Sequence, residues 1–315
     1  MLTATCLTTD ISYSGSTTQK LRDTRDCPKC ELEQANLQGL YLRNAILDEA
    51  DLREAKLDNA DLKNARLEKA DLSNASLAGA NLKGANLTEA NFNQTKLTGV
   101  LIDENTIIDD KWFLVWEIAN QLNEKKDLRQ FDLEGANFKG IDLDVYNLRK
   151  ANLKSADFSN ARLDKINFEH ADLNKADFSF SNLKNVSFQS AVLEEANFNN
   201  AELAEINLKD ANLQKTNFKN SNLESASLVD AELNNADLSY ANLTEADLRN
   251  ANLKDANLSG TTLVNANLSG ANLLNANLDD AYLRLAGFND INLCGATMPD
   301  GTLYRCENNN KNKED

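Results

Sequence analysis

The residues whose types and spacing could do chemistry are few. Cys27-Pro-Lys-Cys30 has the CxxC spacing of thiol–disulfide exchange, or of half a tetrahedral zinc site. Zinc wants four ligands, and no second pair lies nearby in sequence. Three readings stay open for this motif: two small buried thiols, a disulfide within it, or redox or metal use. Cys294 and Cys306 flank the C-terminal segment and could bridge it, which leaves Cys6 over. His170 is the only histidine, so any Ser-His or Cys-His nucleophilic pair would have to use it. No third group is positioned to orient it, and it reads as exposed and inert. The acidic residues fall on outward positions, where a catalytic pair cannot be told from a solvated face. No glycine-rich phosphate cradle is present. No catalytic, cofactor-binding or metal-binding residue is therefore assigned, no cofactor is expected, and the chain reads as no enzyme.

The framework that must hold these residues is periodic. Leu37, Leu42, Leu47, Leu52 and Leu57 are five apart, and Leu258, Leu263, Leu268, Leu273 and Leu278 repeat the pattern near the end. An alanine usually stands two places before the leucine. A helix turns about 100° per residue, so five-residue steps would scatter leucines around it. A strand alternates faces, so an odd step would send successive leucines to opposite sides. The chain must bend once per repeat. Phe138, Phe158, Phe178, Phe198 and Phe218 are spaced by 20, as are Phe168 and Phe188. Tyr146, Ile166, Val186 and Ile206 replace the alanine at the same interval. Large residues stack on large ones when they share a face, which predicts four repeats per coil. The Phe168 and Phe188 pair is expected on the face opposite the longer series.

The units ADLKN at 60–64, ANLTE at 241–245 and ADLRN at 246–250 resemble the pentapeptide-repeat family and its consensus A(D/N)LXX. The resemblance covers roughly 31–102 and 128–298. It implies an all-β solenoid, a right-handed quadrilateral β-helix, with the central residue and the small residue two before it inside. Asn or Asp before the centre, as at Asn81, Asn86 and Asn91, reads as corner or ladder stabilisation.

The expected organisation has five parts. Residues 1–30 are an N-terminal segment, with a capping helix over 16–26. Residues 31–102 are a first array, 103–127 a helical insert, 128–298 a second array, and 299–315 a C-terminal cap and polar tail. The insert breaks the five-residue phase by one residue. Its Trp112, Val115, Trp116, Ala119 and Leu122 form one helical stripe, with Phe113 and Ile118 off it. That stripe is expected to pack over an open coil end or along a rod side, as a buttress or as a plug between two rods, with the buttress preferred; a partner-docking helix is the other reading.

Charge narrows the partners. Acids outnumber bases 49 to 33, for a net charge of −16. This disfavours direct nucleic-acid binding, which needs cations against phosphates. No apolar run is long enough to span a membrane. The start shows no signal peptide, which favours the cytoplasm, whereas bridged cysteine pairs would mean an oxidising compartment. Residues 220–290 hold 10 acids and 3 bases, and 256–278 hold no charge. Val264 and Leu274 there, with Tyr240, Tyr282 and Leu285 nearby, are candidate interaction residues. Two functions follow as expectations. One is a non-enzymatic scaffold, a rigid β-helical rod presenting side chains to an unknown protein partner. The alternative, implied by the resemblance, is an acidic DNA mimic that binds DNA gyrase or another DNA-binding protein. Oligomeric state is not legible.

Overall fold

A five-residue step leaves room for one paired residue and a corner, and the backbone accounting around Leu52 shows how the coil is held. In this computed structural model, which describes residues 11–124, 126–143 and 145–306, the N–H of Leu52 donates to Asp71 O at 2.8 Å. The N–H of Glu54 donates to Ser73 O at 2.9 Å, also in the next coil. Ala55 N–H closes the turn on Leu52 O at 3.0 Å, and Asp51 N–H donates back to Cys30 O at 2.9 Å. The fifth donor, Arg53 N–H, goes to Asp51 Oδ1 at 3.2 Å. All five N–H groups of the repeat are thus satisfied, as a tightly wound backbone requires. The last bond explains Asp or Asn before the centre: its side-chain oxygen takes the donor that no neighbouring coil reaches. The corner closes because the residue two after the centre is left-handed, with φ 58° at Glu54. Bridges join each such Asp or Asn position to its counterpart four repeats later, as in Asp51↔Asp71 and Asn217↔Asp237, so four repeats make one coil.

This geometry corrects the expected fold class. Among the described residues every parallel bridge is isolated and one residue long, there is no β-strand or sheet, and the only helices are two short ones. The all-β solenoid, the right-handed quadrilateral β-helix, is therefore not what forms. The physical reason is the left-handed corner, which recurs in every repeat and leaves no run of neighbouring residues both extended and bridged. The chain also divides into two compact units, Met1–Glu124 and Lys125–Asp315. The rigid β-helical rod is withdrawn with the β-helix.

Inside each unit the core follows the repeat. Leu52, Leu57 and Leu62 in the first and Leu243, Leu248 and Leu253 in the second are fully buried, as are the alanines two before them. The phenylalanines stack coil on coil. Phe158 and Phe178 lie 5.0 Å apart at 3°, and Phe178 and Phe198 4.8 Å apart at 3°. Phe168 and Phe188 form a parallel column, 4.8 Å apart at 7°. The two columns meet edge to face, with Phe168 and Phe178 5.9 Å apart at 80°. That offset is the arrangement ring quadrupoles favour.

The first unit begins with α1 (Ile11–Thr24), which buries Leu21 at its end. It closes with α2 (Asp110–Ala119). The one-residue phase slip lies just before α2: Asn86 bridges Ile107, where the register of the other bridges points to Thr106. The extra residue sits in the Asp103–Thr106 turn, where Gly84 N–H donates to Asp103 Oδ1 at 2.9 Å. Helix α2 takes the place of a next coil. Trp116 Nε1–H donates to Val100 O at 2.9 Å, and Asn120 Oδ1 accepts from Gly99 N–H at 2.6 Å. Asn120 Nδ2–H donates to Leu97 O at 3.0 Å, and Trp112 packs 5.9 Å from Phe92. The buttress reading gives way to an end cap, because these bonds go to ladder groups at the end of the coil. The buried face is Trp112, Val115, Ile118 and Ala119, so Ile118 joins the stripe, while Leu122 lies past the helix end and is exposed.

Three outcomes are expected. Phe178→Ala should cost about 3–5 kcal/mol in denaturant unfolding, since it opens a cavity in one column and removes edge contacts to the other. Asn120→Ala should cost about 0.5–1.5 kcal/mol and speed hydrogen exchange at Gly99 N–H, which loses its side-chain acceptor. Val145, a β-branched residue at φ 65°, should stabilise the chain by about 1 kcal/mol when replaced by Gly. An unchanged or lower denaturation midpoint would contradict this account of the corner.

Candidate interaction surface

Outward positions in each repeat are the residue before the centre and the two after it. The register therefore decides which candidates share a side. Tyr240 sits in the corner leading into the side centred on Leu243. Val264 follows Leu263 on that side one coil later. Tyr282 and Leu285 flank Leu283 on the coil after that, and Tyr282 bridges Thr262. Tyr240, Tyr282 and Leu285 are 63%, 67% and 74% exposed, and Val264 is half-buried. Leu274 follows Leu273, two sides away, so the structure does not bring it to this group.

Tyr240 owes its placement to the corner that follows one coil on. Gly260 has φ 64°, and a Cβ built there would come within 2.6 Å of the Tyr240 ring. The ring lies across that glycine, where the missing side chain leaves room. Sequence reasoning found Tyr240 by its exposure but not this support. The signal was present, since Gly260 holds the same place in the repeat as Tyr240, one coil later.

The last coil differs from those before it. Leu263, Leu268, Leu273 and Leu278 are fully buried, whereas Leu283, Phe288, Leu293 and Met298 are only half-buried. Among the described residues the main-chain N–H groups of Leu283, Leu285, Phe288, Asp290 and Leu293 make no hydrogen bond. Part of the end is covered by the chain turning back. Leu303 pairs antiparallel with Thr297, Gly295 N–H donates to Tyr304 O at 2.9 Å, and Tyr304 N–H donates to Ala296 O at 2.7 Å. Cys294 is bonded to Cys306 across this turn. The polar tail expected over 307–315, like Cys6, lies outside the described residues.

Cys27 is bonded to Cys30 and both are buried where the repeat places its inward residues. Two disulfides are consistent with an oxidising compartment. His170 is exposed at a left-handed corner with φ 57°. Among the described residues no group of three or more His, Cys, Asp or Glu could hold a metal ion, and no helix is long and apolar enough to cross a membrane.

Surface charge is locally paired. Arg249 Nε–H and Nη2–H donate to Asp247 Oδ1 and Oδ2 at 2.8 and 2.6 Å, and the Asp51–Arg53 pair repeats the geometry. The Arg249 hydrogen bonds hold the Asp247 carboxyl below its ordinary range. A depressed folded-state value means the pair's contribution is complete above the ordinary carboxylate pKa and is lost as pH falls through the lower one. Carbon-13 titration of Asp247 should show its midpoint rising in Arg249→Gln. A midpoint that does not move would refute the pairing.

Residues 181–258 match the pentapeptide repeat region, and 30–68, 65–101, 127–164, 151–189 and 263–298 match pentapeptide repeats (8 copies). No curated protein matches the chain. Among solved structures, HetL is a pentapeptide repeat protein involved in heterocyst differentiation regulation from the cyanobacterium Nostoc sp. strain PCC 7120. It is 24% identical, with 92% of this chain and 98% of that chain covered and a TM-score of 0.36. QnrB1, a plasmid-mediated fluoroquinolone resistance protein, is 18% identical over 51% of this chain and 81% of that one, with a TM-score of 0.41. A pentapeptide repeat protein of the Arabidopsis thaliana thylakoid lumen is 31% identical over 38% and 69%, with a TM-score of 0.15. At these TM-scores no argument is built on the structural likenesses. The five-residue period, the four-repeat register and the family matches over most of the sequence make this chain a member of the pentapeptide-repeat family, whose proteins are characteristically non-catalytic scaffolds rather than enzymes.

Proposed function

We propose that the chain is a non-catalytic scaffold that binds a partner protein through the C-terminal coils of its second unit. The observation that carries this reading is the run of exposed Tyr240, Tyr282 and Leu285 along one side, with Val264 among them, beside a last coil whose core is only half covered. Exposed aromatic and aliphatic side chains gathered on one side are what protein contacts use. Residues 220–290 carry 10 acids against 3 bases, so the partner that fits is an apolar surface with a basic rim. The two disulfides support action in an oxidising compartment, in place of the cytoplasm favoured by the start of the chain.

This reading does not rest on a rod. The DNA-mimic alternative did, since mimicry of a duplex needs continuous width and charge, and it is not carried forward. The two compact units, the absence of strands among the described residues and the local Asp–Arg pairing remove its basis.

The test compares capture by the wild-type chain with capture by Tyr240→Ala/Tyr282→Ala/Leu285→Ala, and with a Leu274→Ala control on another side. The triple variant should lose the captured partner by at least tenfold, with Leu274→Ala unchanged, and binding should weaken as salt rises. Equal capture by all three proteins would overturn the assignment of this side.

A further inference from the structure

In a chain of net charge −16, one concave site collects positive charge. A pocket of about 420 Å³ at the first coils of the second unit is lined by Asp127, Arg129, Gln130, Phe131, Arg149 and Lys150. The repeat explains why the cations meet. Arg129 and Arg149 are four repeats apart, so they hold the same outward position on neighbouring coils, and Lys150 occupies the adjoining corner with φ 61°.

The charges are not all neutralised. Asp127 is committed to Arg129, whose Nε–H and Nη2–H donate to it at 2.8 and 2.6 Å. Arg149 is different. Its Nε is a buried atom with no hydrogen-bond acceptor among the described residues. Arg149 forms an ion pair with Glu169, whose Oε2 lies 3.6 Å from Nε, too long for a hydrogen bond. Lys150 makes no ion pair among the described residues. A buried guanidinium donor without an acceptor is costly, and an oxygen anion in the pocket would relieve it.

We propose that this pocket binds a small oxyanion, a carboxylate or a phosphate, through Arg149 and Lys150, with Arg129 as the outer cation. The Arg149 fork supplies parallel donors that fit two oxygens of one anionic group. The exposed ring of Phe131 forms an apolar wall beside it. The site is separate from the C-terminal coils proposed to dock a protein and uses opposite charge. Asp51–Arg53 and Asp247–Arg249 have the same Asp-x-Arg pairing without this pocket, which provides an internal control.

The test is titration of the full chain with inorganic phosphate, and separately with acetate, following the Arg Nε–H NMR signals. Arg149 should shift saturably with at least one of the two anions, while Arg249 should not, and which anion saturates identifies the preferred source. Arg149→Gln and Lys150→Gln should each weaken binding roughly tenfold or more, as expected for loss of a charge-assisted bond. Glu169→Gln should strengthen it by removing the competing carboxylate, a gain that a purely structural role for Arg149 would not produce. Should Arg149→Gln fail to fold, Lys150→Gln, Glu169→Gln and the wild-type signals still decide. Linear shifts with both anions, or equal shifts at Arg149 and Arg249, would show only general screening and overturn the proposal.

Discussion

Everything in this chain depends on closing a coil every four repeats with no backbone donor left over. In a repeat with coils on both sides, such as 51–55, four of the five N–H groups find carbonyls, one inside the turn and three in neighbouring coils. The fifth needs a side-chain oxygen, and where Asp or Asn stands before the centre it supplies one. The inward alanine keeps the coils tight, and the leucine or phenylalanine fills what remains. The left-handed corner is the cost of this solution. It falls on Lys, Glu, Phe, Tyr and Leu as well as on Asn and Gly. A non-glycine residue there is strained by about 1 kcal/mol or more, and the ladder bonds and buried centres of adjoining coils offset it.

A ladder of this kind has an obligatory weakness at its ends. Each final coil carries donors and acceptors aimed at a coil that does not exist. The first unit solves this with α2 and its C-cap, where Trp116 and Asn120 supply from side chains the bonds that a further coil would have made from its backbone. The second unit solves it only in part. Its chain turns back and is tied by Cys294–Cys306, yet Leu283, Phe288 and Leu293 stay half-buried. The partner-binding side proposed above lies at this incompletely covered end, so the proposal joins an unmet structural demand to a function.

Charge follows the same register. Outward residues of equal position stack along each side, so a substitution in one coil is felt by the coils before and after it. Asn side chains exploit this by bonding their counterparts one coil earlier, as Asn217 does with Asn197 and Asn277 with Asn257. The register also brings like charges together on neighbouring coils. Arg129 and Arg149 are the clearest case, and the pocket beside them is its consequence.

Repeat length, the inward residues, the two phenylalanine columns, the phase slip and the existence of a helix after the first array could all be read from the linear chain. Each is a consequence of side-chain volume or apolar spacing, which a single sequence displays directly. The family was legible for the same reason. Strand content was not, because hydrogen-bonded bridges of one residue and longer strands share the same apolar period, and only the corner dihedrals separate them. That α2 covers an end and does not buttress a side was decided only by the folded chain, since Asn120 and Trp116 act through polar atoms whose partners lie at Leu97, Gly99 and Val100. Folding likewise exposed the unsatisfied donor of Arg149. These are facts of direction and distance between residues on different coils, and a linear sequence records only their separation.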